Sequence, residues 1–104
     1  MDLIQFLDGL FPEWNTAPIE SVNGALKSRG KVLMLIPYQD RVIHGVFQLS
    51  ESTAKTHIFG SPPINVEDYF EQHWDMQIRH PEYRLIFSQL EPQYCYPPEL
   101  LLAF

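Results

Sequence analysis

Apolar positions recur at two spacings along this chain, and the switch between them divides it. Leu3, Ile4, Phe6, Leu7, Leu10 and Phe11 fall at helical intervals behind Asp2, a residue suited to capping a helix start. Pro12 lies just past the expected end of that helix. A second helix is predicted over Ile19–Lys27, with Ile19, Val22 and Leu26 on one stripe and Pro18 suited to its first turn. Ser28-Arg29-Gly30 breaks the pattern, and from Lys31 the texture changes. Lys31 to Ile36 is a near-continuous apolar run between Gly30 and Pro37, as expected of a buried strand. Tyr38-Gln39-Asp40 reads as a turn and Arg41 to Leu49 is rich in β-formers, which predicts a hairpin. Further strands are predicted at Lys55–Phe59, Met76–His80, Tyr83–Phe87 and Gln93–Tyr96. Gly60-Ser61-Pro62-Pro63, Pro81 and Pro97-Pro98 punctuate them.

The clearest local signal sits between those strands. Asn65 is a good helix cap, Asp68 follows three residues on, and Val66, Tyr69, Phe70, His73 and Trp74 share one helical face. There is no internal repeat, linker or low-complexity stretch. The expectation is one mainly-β (α+β) domain over residues 1–104, with helices at the N-terminus and one helix inserted between strands. Small β-barrels with such an insertion commonly bind ligands beside it.

Composition sharpens this. With 104 residues, 45% of them apolar, the chain can remove roughly two-thirds of its unfolded surface from water. The single cysteine, Cys95, has no partner for a disulfide or for a paired-cysteine metal site, which fits a reducing compartment. The stretch Leu3 to Phe11 lacks a basic leader and falls far short of the roughly 20 apolar residues that span a bilayer. A cytoplasmic monomer is expected, with the nucleus also compatible. The formal net charge of −6 argues against gripping long stretches of phosphate backbone, although a pocket for one or two nucleotides needs only local donors.

Four histidines (His44, His57, His73 and His80) and thirteen acids invite a catalytic search. None falls into a metal-protease, nucleophile-elbow or phosphate-loop pattern. Cys95, in Tyr94-Cys95-Tyr96-Pro97, reads as a buried inert thiol rather than a nucleophile. No catalysis, metal or cofactor is expected.

Asn65 to Pro81, N-V-E-D-Y-F-E-Q-H-W-D-M-Q-I-R-H-P, resembles the PAZ domain of Argonaute-family proteins. The shared features are Tyr69-Phe70 on a helix, Trp74 four residues after Phe70, alternating Met76 to Arg79, and Pro81. Tyr96-Pro97-Pro98-Glu99-Leu100 looks like the family's closing segment, and its form fits Argonaute or Piwi better than Dicer. Ala25 to Lys27, Lys31 to Ile36 and Thr53 to Phe59 keep the family's order of elements, so the resemblance spans nearly the whole chain.

The resemblance implies a small OB/SH3-like barrel with an inserted hairpin-helix module, part of a longer protein. It also implies that the cleft between barrel and module anchors the 3′ end of a single-stranded small (guide) RNA, largely independently of sequence. Phe59 would then stack on the terminal nucleotide, Tyr69 and Trp74 would lie along the terminal phosphodiester, and Tyr96-Pro97 would form the opposite wall. Stacking on aromatic faces, worth roughly 1–3 kcal/mol per base, suits this role. Phe59, Tyr69 and Trp74 are expected to line one solvent-open groove, whereas Phe70 is expected in the core.

The chain departs from the family in its donors. Ile36, His44 and Gly45 stand where the family pocket has histidine, tyrosine and arginine; Trp74 replaces a tyrosine and His73 a lysine. Arg41, Lys55 and Arg79 are the cations available to compensate, so weak, mildly salt-dependent binding is expected. The second expectation is a divergent PAZ fold that has lost RNA affinity and serves as a protein-interaction or scaffold module in a silencing complex.

Overall fold

Asp2 starts the first helix as its position predicts. In the computed structural model, which describes residues 1–104, its carboxylate accepts the Gln5 N–H at 2.8 Å and opens α1 (Leu3–Leu10). Leu3 and Leu7 are buried, one helical turn apart. Helix α2 (Ile19–Arg29) runs two residues beyond the predicted end, with Pro18 as its N-cap just outside the first turn. It stops at Gly30, whose φ of +83° is open to glycine at little cost; the Gly30 N–H donates to the Leu26 and Lys27 carbonyls.

Strand β1 (Val32–Ile36) leads through a 3-10 turn at Pro37–Gln39 into β2 (Arg41–Gly45), and β3 (Phe47–Thr53) follows. The predicted hairpin arm Arg41–Leu49 is therefore two strands. Ile43, Gly45, Phe47 and Leu49 keep one inward face, but β2 pairs with β1 while β3 leaves for another sheet. Gly45 allows this corner: a Cβ there would sit 3.3 Å from the Ser88 Oγ.

The Lys55–Phe59 strand is shorter than predicted because Thr53–Thr56 forms a turn. The Thr53 carbonyl accepts the Thr56 and His57 N–H groups, and the Thr56 hydroxyl accepts the Thr53 N–H. What remains is the ribbon β4 (Ile58–Phe59) and β5 (Ile64–Asn65), then α3 (Val66–Trp74), capped by the Asn65 side chain accepting the Asp68 N–H at 2.8 Å. Met76–His80 is not a strand, contrary to expectation. No strand lies alongside it, and the Glu99 carboxylate instead accepts the Arg79 and His80 N–H groups at 2.9 and 2.8 Å. The chain closes with β6 (Arg84–Ser88), β7 (Cys95–Tyr96), a 3-10 turn at Pro98–Leu100, and β8 (Leu102–Ala103).

The architecture is α+β, with three antiparallel sheets in the orders β2-β1-β8, β3-β6-β7 and β4-β5. The closed barrel that was expected is not formed, because the ladders part at Val46 and none joins the edges of the two larger sheets. Those two sheets nevertheless share one core, in which Met34, Ile36 and Ile43 meet Phe47, Leu49 and Ile86. Helix α2 is fastened to β3 by one side chain. Asn23 donates to the Leu49 carbonyl at 3.0 Å and accepts the Leu49 N–H at 2.7 Å. Because β3 and β6 pair with each other, β4, β5 and α3 form an insertion between partner strands. A second apolar cluster of Ala54, Val66, Phe70, Ile78 and Leu85 seats that insertion.

Candidate binding cleft

A cleft of about 320 Å³ opens where the inserted module meets the rest of the fold. Four segments distant in sequence wall it: Tyr38 and Gln39 from the turn after β1, His57 and Phe59 at β4, Tyr69 and Phe70 on α3, and Gln93 to Tyr96 at β7. Local chemistry explains the convergence. The Thr53–Thr56 turn aims β4 at α3, the Asn65 cap fixes the start of α3, and β7 is held against β6 by the Ile86–Tyr96 and Phe87–Cys95 pairs.

Two of the three expected rings meet here. Phe59, 37% exposed, lies edge-on to Tyr69 with centroids 5.1 Å apart. Trp74, 40% exposed, does not line the cleft and instead sits edge-on to Tyr38 at 5.1 Å. The reason is helical geometry: five residues turn the helix by about 140°, and α3 stays regular through Trp74 before Asp75 ends it with a φ of 51°. Phe70 is buried as expected.

The other predicted residues divide. Tyr96 lines the cleft, but Pro97 beside it is fully buried and forms no wall. His73 lies on the far side of the Phe59–Tyr69 pair, its ring 4.8 Å from that of Tyr69. That pair is shared with a second, more open groove formed by the β4–β5 turn and by Asp68, Gln72 and His73 of α3. His44 is exposed on β2 opposite Leu33, outside both concavities. Arg41 forms an ion pair with Glu91 and does not line the cleft. Arg79 lines a separate depression beside Glu99.

Tyr38 and Tyr94 went unpredicted. Tyr38 touches Phe70 and Trp74 edge-on, both at 5.1 Å, and so joins the turn to α3. An aromatic ring inside a three-residue polar turn was the only sign of it in the sequence. Tyr94 is 51% exposed in the irregular segment before β7.

Burial raises three acidic groups of the cleft, Tyr38, Tyr96 and Cys95. It pushes the Tyr38 hydroxyl well above the ordinary phenol range, with Tyr96 and Tyr69 adding to the shift. Tyr96 is raised by burial against an opposing pull from Arg41, and burial also raises the half-buried Cys95 thiol. The thiol lines the cleft rather than lying in the interior as expected, and burial disfavours its reactive thiolate form. The result is a pocket of aromatic faces and neutral O–H donors with no lysine or arginine in its walls. No helix of the chain is long and apolar enough to cross a membrane. Neither protein-family models nor curated protein sequences match this chain.

Proposed function

We propose that this chain is a small binding domain that holds the 3′ end of a single-stranded small RNA, with the terminal nucleotide stacked in the Phe59–Tyr69–Tyr96 cleft. The observation that carries this reading is the meeting of those three residues, from β4, α3 and β7, in one solvent-open concavity. Each was singled out by the resemblance to PAZ domains. The two larger sheets, in this reading, stand in for the OB/SH3-like barrel, and β4, β5 and α3 for its inserted module. Aromatic faces accept any base, and neutral phenols donate to phosphate or ribose oxygens without charge repulsion. Argonaute-type or Piwi-type parentage follows from the form of Tyr96 to Leu100.

The absence of lysine and arginine from the cleft favours the second reading, in which the fold has given up RNA and binds a protein. An amide-shift titration with a short RNA, run beside a 3′-phosphorylated version, separates the two. Shifts confined to Phe59, Tyr69, Tyr94 and Tyr96, and weakened by the terminal phosphate, support 3′-end binding. No shift at low salt refutes it.

A further inference from the structure

The walls of the cleft hold one side chain able to become a cation, His57, whose ring stacks on Phe59 with centroids 6.1 Å apart and planes 29° apart. Beyond Phe59 and Tyr69, the neighbouring groove holds one more, His73. The four rings run in order, His57, Phe59, Tyr69, His73, so an imidazole stands on each side of the aromatic wall that divides the two concavities. Arg41, whose charge acts on Tyr96 from outside the cleft, is already engaged by Glu91. From this arrangement we propose that His57 and His73 are the phosphate-contacting residues of the site, and that a strand laid across the Phe59–Tyr69 wall is held in proportion to their protonation. The inference rests on the RNA reading above and assigns its electrostatics.

Histidine is the side chain whose charge ordinarily changes between pH 5 and 8, while a phosphodiester stays anionic throughout. The groups facing His57 from the other walls are the Tyr38, Tyr69, Tyr94 and Tyr96 phenols and the Cys95 thiol, with no carboxylate among them. Asp68 is the one carboxylate in the groove beside His73, and the β4–β5 turn contributes no charged side chain there. The nearby Lys55 is exposed in the turn before His57 and lines neither concavity. Protonation therefore creates positive charge where the neutral site has none. Affinity should rise as pH falls.

The test is fluorescence polarisation with an 8-nucleotide oligouridine, chosen because uracil does not titrate between pH 5.5 and 8. Binding at pH 5.5 should be at least tenfold tighter than at pH 8, as expected of charge-assisted contacts. The slope of log K against log salt should move from near zero at pH 8 to about −1.4 at pH 5.5, two phosphates at about −0.7 each. His57→Gln and His73→Gln should each remove about half of that slope, and the double variant should bind equally at both pH values. His44→Asn and His80→Asn, outside both concavities, should keep the full pH dependence. Equal wild-type affinity at both pH values, with binding still lost in Phe59→Ala, overturns the histidine assignment and leaves the RNA reading standing. Absence of binding at both pH values overturns both.

Discussion

Truncating Phe59 separates a ring that binds from a ring that packs. A fully buried phenylalanine replaced by alanine typically destabilises a domain by about 3–5 kcal/mol. Phe59 belongs to neither apolar cluster, is 37% exposed, and its ring contacts are with Tyr69 and His57. The edge-on pair with Tyr69 contributes about 0.5–1.5 kcal/mol beyond area burial, and the covered part of the ring adds roughly 1 kcal/mol, so Phe59→Ala should lose about 2 kcal/mol of stability. In a domain of this size that is a fall in melting temperature of roughly 8–16 °C. The same change removes a stacking face worth about 1–3 kcal/mol, a loss of roughly 5- to 150-fold in RNA affinity. Thermal denaturation and polarisation with a 5′-labelled RNA, both run well below the melting temperature for the binding arm, measure the two effects separately. A stability loss above 3 kcal/mol, or unchanged RNA affinity in a folded variant, would show that Phe59 is a packing residue and refute the cleft assignment.

Three further outcomes follow from the geometry. Asn23→Ala should cost about 2 kcal/mol, read as a lower urea midpoint, because the Leu49 N–H and carbonyl both lose their partner; an unchanged midpoint would mean water replaces the amide fully. The raised Tyr38 and Tyr96 phenols keep their protons in the folded chain after the unfolded chain releases them near pH 10, so the folded state binds more protons there. Stability contributed by these groups is thus complete below about pH 10 and declines above it, and Tyr38→Phe should flatten the urea midpoint between pH 9 and 11. Cys95 should alkylate more slowly with iodoacetamide at pH 8 in the native chain than in urea, since burial holds its thiol protonated. Equal rates would place it in open solvent.

What the sequence disclosed was short in range. Asp2 and Asn65 cap helices through bonds to N–H groups three residues on, and that chemistry is fully contained in adjacent residues. The core stripe of α1 and the run of β-formers over Arg41–Leu49 were equally legible. Long-range pairing was not. Strand β8 is only Leu102–Ala103 and exists because Met34 and Leu35 pair with it across the fold. Met76–His80 carries an alternating pattern without a neighbouring strand, so its backbone is satisfied by Glu99 instead. At the cleft, Phe59, Tyr69 and Tyr96 were reached through resemblance, while Tyr38 entered through the tertiary position of a turn. Trp74 failed because a pattern of residue types does not report which way a regular helix points its last ring.

The clamp between Asn23 and Leu49 has a bearing on how the molecule meets copies of itself. Strand β3 is an outer strand of its sheet, and such a strand normally offers free amides and carbonyls to any passing extended segment. At Leu49 both groups are already occupied by an amide that mimics a neighbouring peptide unit, and α2 lies over that border. An intruding chain would have to displace a helix before it could add a rung. The clamp thus shields this border from the strand-by-strand growth that leads to fibrils.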